Sequence, residues 1–193
     1  MFPFFYADSR PDGRKGGTMN PKRSGIIRRF DMLGRIVVPK EIRQVLRLKE
    51  GDPMEIGICG ESIVMERYQP LLYLEDTCEK HLRVLAGNCS IACAILSTEH
   101  VLASRGITLP EAPCLAKRVR MLIEEQKTYL NDDADPLYLF DDSRYRIHAL
   151  YPVGTKEQPS GAVILLHYRN VSPEELACAR QTADTLTILL KEE

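Results

Sequence analysis

Residues 31–46 read DMLGRIVVPKEIRQVL. This segment limits the possible folds more than any other in the chain. Leu33-Gly34-Arg35 is a turn, with Gly34 supplying the backbone freedom. Ile36–Val38 is a short β-branched run. Pro39 ends it and suits the first position of a helix. In the stretch that follows, Ile42, Val45, Leu46 and Leu48 share one helical face. Lys40, Arg43 and Arg47 share the other. Upstream, SGIIRRFD at 24–31 reads as a first strand. Downstream, PMEIGIC and SIVMERY alternate on either side of Gly60-Glu61 and read as a hairpin. The unit spans about 50 residues, and a sheet that small with one short helix buries too little apolar area to fold alone. Two chains are therefore expected to complete it together.

Charge separates this unit from the rest. The 193 residues carry a net charge of −1. Residues 22–47 alone hold 8 Lys/Arg against 2 Asp/Glu, a local excess of +6, whereas residues 71–193 carry −5. A basic cluster beside an acidic remainder is the pattern of one module that meets a polyanion and another that does not. A solvated surface is the alternative reading, and composition does not choose between the two. No apolar run reaches the ~20 residues a membrane span needs. The N-terminus lacks the basic start and apolar core of a signal peptide, so a cytoplasmic location is expected. The six cysteines include no C-x-x-C pair, so free thiols and no zinc site are expected. The sequence has no phosphate-cradling glycine loop, G-x-S-x-G or H-E-x-x-H motif. An enzyme is not expected.

Residues 1–20 show no periodicity and read as a disordered or misassigned extension, with translation expected to start at Met19. Residues 21–70 form the basic module and residues 71–193 a second domain. In that domain Leu71–Leu85 and Ala112–Tyr129 read as amphipathic helices, CSIACAILS as a buried strand and VLASRG as a second strand. YRIHALYPV and SGAVILLHYR read as two more strands, with an acidic loop at 131–144 before them. The last helix, Ser172–Glu193, opens on a capping box of Ser172 and Glu175 with Pro173 between them. The order α-β-β-α-β-β-α gives an α+β fold, an antiparallel sheet with helices packed on it.

SGIIRRFDMLGRIVVPKEIRQVLRLKEGDPMEIGICGESIVMERYQP, residues 24–70, closely resembles the DNA-binding domain of the AbrB family of bacterial transition-state regulators. It carries the family's D-x-L-G-R-I/V-V-I/V-P-x-E-I/L-R pattern. The resemblance implies a swapped-hairpin β-barrel built by two chains and double-stranded DNA as partner. The family's DNA-contacting arginines fall on Arg28, Arg35 and Arg43, and Arg29, Lys40 and Arg47 are the further candidates; Arg28 and Arg29 would point to opposite faces of a regular strand, so at most one of the two lines a given surface. Gln44 stands where the family often has a further arginine, and Arg47, one turn along, is its expected substitute. Asp31 and Glu41 are expected to orient arginines or cap. The length after residue 70 is similar to family members that join this domain to a GAF-like α/β sandwich. That likeness implies regulation of sporulation or transition-state genes. It also implies a homodimer through the N-terminal domain and a homotetramer through the outer helices. No cofactor is implied beyond an unidentified small molecule, lined by SIACAILS, the 131–144 loop and YRIHALYPV. His148, Tyr145, Arg105 and Asp142 are its candidate polar residues; structural hydrogen bonding is the alternative for each. Cys89 and Cys93 read as buried packing on one strand face. The rival function is an antitoxin-like or scaffold protein-interaction module on the same swapped-hairpin fold.

Overall fold

The computed structural model describes residues 26–110, 114–131, 133–141, 144–166 and 170–192. The proposed extension at 1–20, the start of the first strand and Asp142 lie outside these residues. The chain divides into two compact units, residues 1–52 and 53–193. The sequence places the hairpin at 54–67 with the N-terminal module, whereas in the single chain it groups with the C-terminal unit.

In the first unit, α1 spans Lys40–Val45 and buries none of its residues. The strands expected at 24–31 and 36–38 are not formed among residues 26–38. A strand exists through its ladder, and the backbone hydrogen bonds among residues 26–38 close only the turn: Asp31 N–H to the Arg35 carbonyl at 3.0 Å and Gly34 N–H to that of Asp31 at 3.0 Å. Pro39 sits at the N-cap of α1, one place earlier than expected.

In the second unit, β1 (Met54–Cys59) and β2 (Ser62–Arg67) form the expected antiparallel hairpin, with Ile56 opposite Met65 and Ile58 opposite Ile63. Gly60 takes a φ of +58° at the first central turn position, which suits a tight two-residue connection. This sheet has two strands and is not closed into a barrel. The helix expected over Leu71–Leu85 is broken at Leu74 into α2 (Pro70–Tyr73) and α3 (Glu75–Asn88). Its stripe is as read: Cys78, Leu82 and Leu85 are buried.

The main sheet has six strands: β3 (Cys93–Leu96), β4 (Val101–Arg105), β5 (Tyr129–Leu130), β6 (Leu137–Tyr138), β7 (Arg146–Gly154) and β8 (Pro159–Leu166). Their order is β4-β3-β8-β7-β5, with β6 also on β7, and every pairing is antiparallel. β3 and residues 161–166 of β8 are apolar because both faces of the sheet are covered there. Cys93, Ile95, Val163 and Leu165 face α3 and α5 (Pro173–Glu192). Ala94, Leu96, Ile164 and Leu166 face α4 (Lys117–Glu124) and the loops beside it. Gly161 is required where β8 meets β3: a Cβ there would strike the Leu96 carbonyl oxygen and lie 2.6 Å from Leu71 Cδ1.

Helix α4 is shorter than the expected Ala112–Tyr129. It stops in a hydrogen-bonded cap, with Lys127 N–H on the Leu122 carbonyl, Gln126 N–H on that of Ile123, and Gln126 left-handed at φ +52°. Tyr129 begins β5 instead. The expected acidic loop contains β6, two residues long and so without a periodic signal. The capping box of α5 is present, with Ser172 N–H on Glu175 Oε2 at 3.0 Å and Glu175 N–H on Ser172 Oγ at 3.3 Å. No helix among the described residues is long and apolar enough to cross a membrane.

Candidate nucleic-acid interface

The turn at 31–35 is organised by one carboxylate. Asp31 Oδ1 accepts the backbone N–H groups of Leu33 and Arg35, both at 2.9 Å, and Asp31 Oδ2 accepts Arg35 Nε at 2.7 Å. Gly34 completes the turn at φ +73°. These bonds, the Arg35 N–H first and the Arg35 guanidinium next, hold the Asp31 carboxyl below the usual carboxylate range. Asp31 therefore orients Arg35, as expected from its place in the motif. The Arg35 side chain keeps 72% of its surface exposed, and its two Nη groups have no partner among the described residues.

Helix α1 carries Lys40 and Arg43 three residues apart, hence on neighbouring positions of one face. Glu41 in the first turn and Arg43 in the last match the helix dipole. Gln44 is exposed beside them. Arg47 does not extend this helix. Leu48 N–H bonds the Arg43 carbonyl at 2.8 Å and Arg47 N–H that of Gln44 at 3.2 Å, which ends the helix with Arg47 left-handed at φ +53°. The expected substitution of Arg47 for Gln44 one helical turn on is thus corrected, since there is no further turn. Arg28 and Arg29 are exposed on the segment before the turn, with Arg28 Nη1 3.4 Å from the Ile27 carbonyl. The assignment of these two to opposite strand faces is not realised, because no strand forms there.

The same segment leaves its apolar side chains uncovered. Ile27 is 88% exposed, Met32 101% and Val45 81%. Phe30, Leu33, Ile36, Val37 and Leu46 are exposed too, and so are Ile56, Ile58, Ile63 and Met65 on one face of the hairpin. From residue 26 to residue 69 only Pro39 is buried.

In the second unit the 131–144 loop, one of the three segments expected to line a ligand, borders a cleft. β3 and β7 contribute to a filled core, and the open cleft, about 360 Å³, is lined by Ala116, Arg118, Pro136–Tyr138, Phe140 and Asp141. Arg105 pairs with Glu79 of α3. Tyr145 stands edge-on to Phe140 with centroids 5.8 Å apart. His148 is the extra residue of a bulge in β7, its carbonyl accepting the Asn131 N–H at 2.6 Å. None of the three lines the cleft. Arg118, which does, was not legible in the sequence. It binds Asp135 Oδ1 at 2.6 Å and lies 5.9 Å above the Tyr129 ring, contacts that join α4 to β5 and to the loop before β6.

Cys89 caps the end of α3 and Cys93 opens β3, so the two do not share a strand; both are buried. Burial first, then Cys89 beside it, pushes the Cys93 thiol up to about 12. Burial, with Glu75 adding to it, takes Cys78 to about 11. No group of three or more potential metal ligands occurs among the described residues.

Residues 31–71 match the family model described as antidote-toxin recognition MazE, bacterial antitoxin. Stage V sporulation protein T of Bacillus subtilis (strain 168) is 28% identical over 149 residues, covering 75% of this chain and 84% of that protein. Transition state regulatory protein AbrB of the same organism is 40% identical over 58 residues, or 30% of this chain and 60% of that protein. A solved domain of a two-component sensor histidine kinase protein from Sinorhizobium meliloti 1021 aligns with 62% of this chain and 91% of its own, at 16% identity and a TM-score of 0.35. Residues 31–71 of this chain are thus similar to the MazE antitoxin family, and the chain is similar to AbrB and, over three quarters of its length, to stage V sporulation protein T.

Proposed function

We propose that the chain is a cytoplasmic, non-enzymatic regulator that binds double-stranded DNA through its N-terminal module, assembled by two chains. One observation carries the reading. The residues that match the MazE/AbrB family hold an Asp31-ordered turn presenting Arg35 beside a helix presenting Lys40 and Arg43, on a segment whose apolar side chains lack cover. A second copy is the cover that fits. The paired Ile56–Met65 and Ile58–Ile63 rows and the Ile36–Val37 run would close a common barrel, doubling the cations on one face. Arginines so placed neutralise phosphates and can fork onto guanine edges in the major groove. Arg28, Arg29 and Arg47 are assigned to the rim of this face, for phosphates.

The relatives' names speak of transition-state regulation and sporulation, and we assign this chain to the same kind of genes. The C-terminal unit is read as a GAF-like domain that adds contacts between dimers through α3 and α5. A small-molecule ligand would enter it at the cleft beside Arg118. Fluorescence anisotropy on AT-rich promoter duplexes tests the reading: Arg35→Ala and Arg43→Ala should each weaken binding without lowering the melting temperature. Unchanged affinity in both variants would refute the assignment.

The second reading is favoured by the matched family's description as an antitoxin. In it the same module covers a toxin protein. Co-purification of a stoichiometric small partner from the native host, with no retardation of DNA, would establish it over the first.

A further inference from the structure

The cleft of the second unit sets one cation, Arg118, among apolar walls. Ala116, Leu137 and Phe140 are buried and belong to the core beneath, and Tyr138 is exposed. Arg118 is already paired, and with a carboxylate of its own chain. Its Nη1 donates to Asp135 Oδ1 at 2.6 Å and its Nη2 to Asp135 Oδ2, a two-point fork. Nη1 also reaches the Pro136 carbonyl at 3.3 Å, and the guanidinium lies 5.9 Å from the Tyr129 ring centre. The Arg118 and Asp135 side chains stay 43% and 65% exposed. Water competes for so exposed a pair, which makes it weak.

The backbone around Asp135 is held without that pair. The Tyr129 hydroxyl donates to the Asp135 carbonyl at 3.3 Å and accepts the Leu137 N–H at 3.1 Å. At the other end of the loop, Arg146 Nη2 donates to Asn131 Oδ1 at 2.8 Å and to Asp133 Oδ1 at 2.6 Å. The Asp135 carboxylate can therefore swing into solvent while the wall of the cleft stays in place.

Building on the reading of this cleft as a ligand entrance, we infer that Arg118 is its anion receptor and Asp135 the receptor's built-in occupant, displaced by a small monocarboxylate with an apolar body. The incoming carboxylate reproduces the fork on Arg118. Its body packs against Leu137, Tyr138 and Phe140. At about 360 Å³ the cleft is near the small end of the ~300–1,000 Å³ range of ligand pockets, which suits one ring or one branched chain. Asp141 lines the cleft as well and opposes a second negative charge, so a phosphate dianion is the poorer fit.

Amide NMR titrations of the full chain with phenylacetate, phenylacetamide and inorganic phosphate test it. Phenylacetate should shift the amides of Ala116, Arg118, Leu137 and Phe140. Phenylacetamide and phosphate should each bind about tenfold or more weakly, lacking the charge or the apolar body. Asp135→Ala should bind phenylacetate about twofold to fivefold more tightly, the worth of the exposed pair it removes. Arg118→Gln should weaken phenylacetate about tenfold or more, and Arg118→Lys, which keeps the charge without the fork, should fall between. Amides of β3 and β8 that keep their wild-type positions show that each variant is folded. Equal binding of the acid and its amide, or of phosphate and phenylacetate, overturns the ligand class. Unchanged affinity in Arg118→Gln overturns the receptor. Unchanged or weaker affinity in Asp135→Ala overturns the built-in occupant. No shift with any of the three probes, in wild type and in Asp135→Ala, overturns the reading of the cleft as a ligand site.

Discussion

Replacing Asp31 by asparagine sets two effects against each other. Asp31 is an anion inside a cluster of cations, so removing its charge raises the local positive potential and, on electrostatics alone, tightens binding to DNA. Its carboxylate also fixes the turn, accepting two backbone N–H groups at 2.9 Å and Arg35 Nε at 2.7 Å. Asparagine retains one oxygen acceptor, so it can serve the backbone or the guanidinium but not all three donors. Arg35 is then released into its rotamers, and binding must immobilise it again. That cost corresponds to about threefold to tenfold in affinity for each Arg35, hence about tenfold to a hundredfold for a two-chain module. Positioning outweighs the gain from one exposed charge, which salt screens. The expected result is weaker binding at 150 mM salt by anisotropy, with an unchanged slope against salt, because no phosphate contact is lost. Asp31→Asn binding as tightly as wild type, or more tightly, would refute a positioning role for Asp31.

Other expected outcomes follow from the C-terminal unit. Gly161→Ala places a methyl against the Leu96 carbonyl and Leu71 Cδ1, an overpacking that should cost about 2 kcal/mol or more and lower the melting temperature by roughly 5 °C; calorimetry reads it. Glu175 is 7% exposed and holds both Ser172 N–H and, at 3.0 Å, Ser90 N–H. Glu175→Ala should therefore cost about 2–3 kcal/mol, above an ordinary cap, in urea unfolding. Thiol labelling at pH 8 should modify exposed Cys114 quickly, and Cys78 and Cys93 only on unfolding, since burial raises both thiols far above that pH. Lowering the pH should leave the 31–35 turn intact until the Asp31 carboxyl protonates. Its folded value lies below the unfolded one, so this contribution is present above about pH 4 and lost below it; the Asp31 carboxyl NMR shift reports it.

Local chemistry was legible where it is strong. Gly34, Pro39, the Gly60-Glu61 connection and the Ser172–Glu175 box each force their own geometry, and each stands where the sequence put it or within one residue. The apolar run at 93–96 announced a buried strand, and the run at 162–166 a strand. Features set by distant partners were hidden. The strands expected at 24–31 and 36–38 have no ladder among residues 26–38, so propensity alone does not form them there. The end of α1 depends on Arg47 adopting φ +53°, a conformation in which glycine or asparagine would have been the visible signal. Arg118 gains its importance from a contact with Asp135, 17 residues away in sequence, which no spacing pattern records.

The affinity of the full chain for AT-rich duplex DNA, measured across salt concentration for wild type and for Arg35→Ala/Arg43→Ala, tests the central claim most directly. Each phosphate neutralised contributes about −0.9 to the slope of log affinity against log salt. Two chains placing Arg35 and Arg43 on phosphates should show a wild-type slope of about −4 or steeper, and the double variant should be shallower by roughly 3 to 4. A wild-type slope near zero, or a double variant with the wild-type slope and affinity, would contradict it.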